Sequence, residues 1–379
     1  MNKTKKHTIP MSNRGRTPEI DIIKGIAIVL VVYGHTFPFF REYIYLFHIA
    51  VFLMASGYCW KDNKITNFST WFSFLIGKLK SLYLPYIICN GIYLLLRNFF
   101  VAINIYSDNP VFLEITQNSI YQQQLTPKLS FQGYMVESVK ILLGTGTTQL
   151  GSATWFLIAL FIVIAIHATL TLSIKNCKYR KIVFIIVFCC LAVAASFVNK
   201  TGFRGEFRRI PCTYMAFLMG FFAKQLDMKK YCNKWWVAGI AFASLVLLSR
   251  IGTIEMSAAH IQNPLFFIIA SYAGWIMLYY IATILMRYEG IHRCLEYIGK
   301  HTMSVLCMHL LAFKLVSFVY IIVSNKPAYL LASFHIIFDV PVIYKLFYTI
   351  AGVLMPLILC YLWNKFTGRL VRCIPIRNS

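Results

Sequence analysis

The sequence predicts an all-α protein that crosses a membrane about ten times, with both termini on the cytoplasmic side. Three observations predict it. Of 379 residues, 59% are hydrophobic and only 13% are charged, a balance too apolar for a water-soluble domain. Ten apolar stretches of near-spanning length recur along the chain. Counted from a cytoplasmic N-terminus, 24 of the 37 Lys and Arg fall in inside segments, 10 in outside segments and 3 within spans. That bias is the one cytoplasmic loops show.

The elements follow in order. A basic, polar segment occupies 1–18. It is not followed by a small-residue cleavage site, so the first apolar run, 20–37, reads as a retained helix. The second span, 43–60, ends in the small pair Ser56 and Gly57, which lets another helix approach closely. The third is placed at 81–103, beyond Lys78 and Lys80. The longest connection, 104–152, carries Asp108, Glu114, a Gln run at 122–124 and an amphipathic piece, MVESVKILLG. Thr154 and Trp155 open the fourth span, 153–173, and the fifth is 182–198. The sixth, 210–223, is short enough to be tilted or re-entrant. Spans at 235–249, 264–286, 301–323 and 346–364 follow, then a basic tail. The domain boundaries predicted are 19–366 for the membrane domain and 367–379 for the tail.

The composition and motifs exclude several function classes. The net charge of +24 is accounted for by basic cytoplasmic loops, so no nucleic-acid partner is expected. The eleven cysteines show no Cys-x-x-Cys pair, and most, such as Cys89, Cys189 and Cys190, lie inside apolar runs. They read as small buried residues, not a disulfide framework or metal site. A nucleophile elbow, a phosphate-binding loop, a dinucleotide fingerprint and a His-Glu-x-x-His pair are all missing. No internal repeat stands out.

Lys24 and His35, in DIIKGIAIVLVVYGH, are the most informative pair. Titratable groups inside an apolar span are costly and usually have a task. Eleven residues make close to three helical turns, so the two share one face, about 16 Å apart along the axis. Two uses of Lys24 are open. It can pair with Asp21 one turn earlier and anchor the span, or offer a cation to a phosphate arriving from the cytoplasm. His35 and His48 fall at one depth on adjacent antiparallel spans. Either can make a helix–helix hydrogen bond, or act as general base toward a hydroxyl. No third ligand stands at that depth, so no metal is expected. Trp155 is an aromatic-belt residue or a pocket wall. The outer loop VNKTGFRGEFRRIP carries Lys200, Arg204, Arg208 and Arg209 against Glu206 alone. It pairs internally or with headgroups, or it receives an anionic or polyhydroxylated substrate. His309 and Lys314, deep in the ninth span, either line a polar cavity or make structural hydrogen bonds.

These residues sit in blocks that resemble the membrane acyltransferase-3 family, which includes O-acetyltransferases of polysaccharides, peptidoglycan and related sugars. EIDIIKGIAIVLVVYGH is similar to its opening motif, a basic residue, ten others and the catalytic histidine. LFHIAVFLMASGYCW, KLKSLYLPYI, TWFLIALF, FLMGFFAK and YIGKHTMSVLCMHLLAF follow in the family's order and spacing. The chain departs from the pattern at Lys24, where Arg is frequent, at Lys78 and Lys80 for the same reason, and at Ala50, where Pro is frequent. Lys keeps the charge but loses bidentate phosphate geometry.

The resemblance implies transfer of an acyl group, usually acetyl from acetyl-CoA, to a sugar hydroxyl. No bound cofactor is implied beyond that donor substrate. His35 would be the catalytic residue, as general base or covalent acyl carrier. Lys24, Asp21, His48 and Ser56 would bind the donor or support the site. Trp155, Arg208, Arg209 and His309 are candidates for the acceptor pocket. The expected partners are acyl-CoA, a glycan or lipid-linked sugar and membrane lipid, and the expected location is a bacterial cytoplasmic membrane. The alternative is a transporter or flippase of a glycan, although the paired half-repeats common in transporters are not seen.

Overall fold

A computed structural model describes residues 17–373, apart from 118, 120–122 and 202–204. The basic N-terminal segment therefore lies, up to residue 16, outside the described residues, as does the end of the tail, 374–379. Among the described residues the chain is helical and has no strand; a single bridge pairs Glu255 with His260.

Helix α1 runs Pro18–Gly34, with Pro18 in its first turn beside Glu19 and Asp21. Proline loses nothing there, and the carboxylates meet the positive end of the helix dipole. The stretch expected as one span at 43–60 is instead two helices, α2 (Arg41–Tyr45) and α3 (His48–Tyr58). The break falls at Leu46 and Phe47, both buried, with Phe47 pressed against Gly274. Anchoring two large apolar side chains at a corner is worth more than one uninterrupted hydrogen-bond ladder.

Helix α4 is a continuous 28-residue helix, Phe68–Leu95, starting well before the expected position at 81. Asn67 and Thr70 form a capping box at its start. A π-helical turn at Leu79–Tyr83 carries it through Lys78 and Lys80 ahead of Pro85. Its exposed apolar residues are Phe68, Phe72, Ile76, Leu79, Leu84, Ile88, Ile92 and Leu95. The steps are of three or four residues except for the one of five, which crosses the π turn. The wider turn keeps the stripe on one face, and a stripe of this size fits lipid.

The longer helices that follow are α5 (Phe131–Leu142), α6 (Trp155–Ser173), α7 (Arg180–Thr201), α8 (Ile210–Gln225), α9 (Trp235–Ile251), α10 (Pro264–Leu285), α11 (Glu289–Lys300), α12 (Thr302–Val323) and α13 (Val342–Cys373), with short helical pieces such as Arg97–Ala102, Val111–Ile115 and Lys229–Cys232 between them. The expected spans fall on helix apart from two breaks, at Leu46–Phe47 and at Leu96, where the stretch expected at 81–103 divides between α4 and the short helix Arg97–Ala102. Among the described residues, six helical stretches are long and apolar enough to cross a bilayer: Phe68–Leu95, Ser152–Ser173, Arg180–Val198, Pro264–Leu285, Thr302–Val323 and Val342–Phe366. Helices α1, α3, α8 and α9 are shorter, at 17, 11, 16 and 17 residues. The chain is a multi-pass membrane protein.

Helices α1 and α3 form the centre. Helix α8 is buried almost all round, from Cys212 to Phe221, as an apolar helix inside a bundle should be. Its backbone touches α3 where Gly57 meets Phe217 and Gly220 meets Met54. Helix α11 crosses α1 equally closely at Gly25 and Gly299. Between these crossings and the wall made by α4, α6 and α12 the bundle opens into a cavity.

Candidate active site

The cavity holds about 830 Å³, within the range of small-molecule sites. Helix α1 gives it one continuous face, Lys24, Ile28, Val31 and His35. Steps of four, three and four residues keep these side chains in line, so the shared face expected for Lys24 and His35 is present. Helix α3 contributes His48, Ile49, Phe52 and Ser56, and α6 contributes Trp155, Phe156, Leu157 and Leu160. Thr302, Met303 and Leu306 of α12 and Leu82 of α4 complete the apolar wall. The His35 end is closed by Arg41 at the start of α2 and by the connecting segments that carry Arg208, Arg209, Glu255, Ser257 and His335.

At the other end, Lys24 Nζ donates to Asp21 at 2.8 Å. The ion pair and the cavity position hold together: Asp21 is buried behind the helix, whereas the Lys24 side chain is 31% exposed and faces the cavity. Lys64 and Lys78 lie within electrostatic reach of one another, and Lys24 is within reach of Lys78. Ser56 donates to Phe52 O at 3.2 Å, an internal helix bond that leaves its oxygen free to accept.

His35 caps the C-terminal end of α1 and packs against two other imidazoles. Its ring stacks on His309 with centroids 5.4 Å apart and 12° between planes. His335 approaches to 4.2 Å with 42° between planes. His35 Nδ1 is shielded from solvent and has no hydrogen-bond partner. His309 does not line the cavity; it is buried behind His35. Its Nδ1–H donates to Val305 O at 2.9 Å and Leu306 O at 3.1 Å, which leaves Nε2 bare and unpartnered. His48 lines the same cavity, and its Nδ1–H donates to Ile44 O at 2.8 Å. That bond fixes the tautomer and leaves Nε2 as an acceptor. The ring nearest His48 is Tyr45, at 4.9 Å.

His335 was not anticipated. It sits in the loop between α12 and α13, and nothing in its local spacing marks it. Lys314 holds that loop: its Nζ donates to Leu331 O at 2.9 Å and Ser333 O at 2.8 Å. Lys314 is therefore a loop clamp and not a cavity residue. Gln123 grips the next residue, accepting from Phe334 N at 2.8 Å and donating to Phe334 O. Burial, then the neighbouring His309, Arg41 and Lys314, hold His335 well below the ordinary imidazole range. It stays neutral and keeps a lone pair.

Trp155 and Arg209 meet at the His35 end. The Arg209 guanidinium lies 5.0 Å from the indole centre, and its Nε donates to Ser257 O at 2.5 Å. Arg208 lines the cavity with a buried, unpartnered Nε. Among the described residues no group of three His, Cys, Asp or Glu is placed to hold a metal.

Such a cavity can hold an extended ligand with an anionic group near Lys24 and its reacting end near His35, where neutral imidazoles accept a proton. A family model for an acyltransferase domain matches residues 17–365. Comparison with curated proteins and with solved structures gives no match. The cavity, its histidine and the match agree: the chain belongs to the acyltransferase-3 family.

Proposed function

We propose that the protein is an integral-membrane O-acyltransferase that moves acetyl from acetyl-CoA to a hydroxyl of a cell-envelope glycan. One observation carries the reading: a single cavity joins Lys24, His35 and the Trp155, Arg208 and Arg209 cluster. Coenzyme A enters at the Lys24 end, where the lysines meet its phosphates. Its pantetheine arm, thin and extended, follows the α1 face past Ile28 and Val31 and delivers the thioester to His35.

There an imidazole nitrogen of His35 takes the proton of the acceptor hydroxyl as the oxygen attacks the thioester carbonyl. The tetrahedral intermediate collapses, the C–S bond breaks, and the thiolate takes the proton back from the imidazolium. The products are the acetyl ester and free coenzyme A. His309 and His335 pack against the His35 ring, and His48 supports the acceptor side. The matching orientation has Lys24 toward the cytoplasm and Arg208 toward the outside. A glycan transporter would use the same cavity, but the family match favours group transfer.

Mass spectrometry of envelope glycan from cells with and without the protein tests the reaction. The expected difference is one acetyl group per modified sugar; identical glycans would refute it. For the donor, acetyl-CoA should raise the melting temperature of the purified protein, and Lys24→Glu should remove most of that rise. Unchanged protection in the variant would show that Lys24 makes no donor contact. For the orientation, Asn63→Cys and Gly205→Cys should label from opposite faces of the membrane, and labelling from one face would refute the arrangement.

A further inference from the structure

We propose that the acceptor is an anion, a sugar whose carboxylate or phosphate sits on Arg208 beside Arg41 at the His35 end of the cavity. This rests on the acyl-transfer reading above and names its substrate class.

Among the described residues, the charged groups lining that part of the wall are three arginines, Arg41, Arg208 and Arg209, against one carboxylate, Glu255. Their engagements differ. Arg209 is held by Ser257 O and by the Trp155 ring. Glu255 accepts from Ser257 Oγ at 3.2 Å. Arg41 lies over the Tyr45 ring at 4.7 Å and within electrostatic reach of His35, His48 and His335. Arg208 Nε is shielded from solvent and has no partner. A buried N–H left unpaired on a cationic group is costly, and in a folded protein it calls for a reason.

A ligand supplies that reason, and its chemistry follows from the donors present. Guanidinium donates and never accepts. A neutral sugar offers hydroxyls that both donate and accept, so a wall built for it would mix amides, carboxylates and carbonyls. Three donor-only groups against one carboxylate suit a ligand rich in acceptors. Carboxylate and phosphate also take two parallel N–H bonds from one arginine. With the anion on Arg208 and Arg41, the rest of the ring lies toward the imidazoles, which brings a hydroxyl to His35.

Binding of three soluble probes to the purified full-length protein tests this: methyl glucuronide, glucose 1-phosphate and the neutral methyl glucoside. At least one charged probe should bind about tenfold tighter than the neutral one, the effect of a charge-assisted pair. Arg208→Gln should erase that preference while neutral binding stays. Preference for the carboxylate points to a uronic acid acceptor, and preference for the phosphate to a lipid-linked sugar phosphate. Equal binding of charged and neutral probes, no binding of any, or a preference that survives in both Arg208→Gln and Arg41→Gln overturns the proposal. The acyl-transfer reading fails separately, if the charged probe binds as expected and no hydroxyl is acetylated from acetyl-CoA.

Discussion

His35→Ala should lower acetyl transfer by about 10²- to 10⁴-fold, the contribution of a positioned general base, and leave the protein folded. The check is O-acetyl content of the glycan in a deletion strain complemented with the variant, alongside the melting temperature of the purified variant with and without acetyl-CoA. The fold should survive because His35 sits at the end of α1, half-buried on a cavity wall, and its Nδ1 makes no hydrogen bond whose loss would orphan a partner. The cost is confined to two ring contacts, with His309 and His335. Donor protection should persist as well, since the phosphate end of coenzyme A lies three helical turns away at Lys24. Normal acetylation by a folded His35→Ala protein would remove His35 from the chemistry. Retained protection with lost transfer is the pattern of a group that acts in the reaction and not in donor binding.

What could be read from the sequence was what depends on local periodicity. The face of Lys24, Ile28, Val31 and His35 follows from the helical repeat alone, and so does the presence of a helix at each apolar run. The break between α2 and α3 was hidden because 43–60 is apolar throughout; only the burial of Leu46 and Phe47 against other helices places the corner. The start of α4 was hidden because Lys78 and Lys80 look like an interfacial boundary, whereas a π turn carries the helix through them. The imidazole cluster was half legible. His35 and His48 are close in sequence and on neighbouring helices, so their sharing one cavity could be inferred, although the rings against His35 are those of His309 and His335. His335 reaches His35 through a loop fixed by Lys314 and Gln123, from segments about 190 residues apart in the chain. No single-sequence pattern encodes such a contact.

Gly57→Leu should abolish stable folding. A Cβ at Gly57 would lie 1.9 Å from Phe217 O, and one at Gly220 would lie 1.9 Å from Met54 O. Both obstacles are backbone, so no side chain can rotate away, and one helix has to move. In a membrane, helices associate by such close backbone approach, because apolar side chains gain little over lipid. Helix α3 depends on it more than most: with 11 residues it rises only about 16 Å, and α8 is what holds it inside the bundle. Overpacking a tight site costs about 1–3 kcal/mol where side chains can adjust, and more where the clash is backbone on backbone. The measurement is the yield and melting temperature of purified Gly57→Leu against Gly77→Leu. A Cβ at Gly77 meets nothing within 4 Å, so that variant should behave as the parent does. Equal stability of the two would show that the α3–α8 crossing is not tight. The crossing also bears on function, because Ser56 precedes Gly57 and lines the cavity. Gly57→Ala adds the same Cβ against Phe217 O, so it should also lower yield and melting temperature, and the displaced Ser56 should weaken acetyl-CoA protection in whatever protein is recovered.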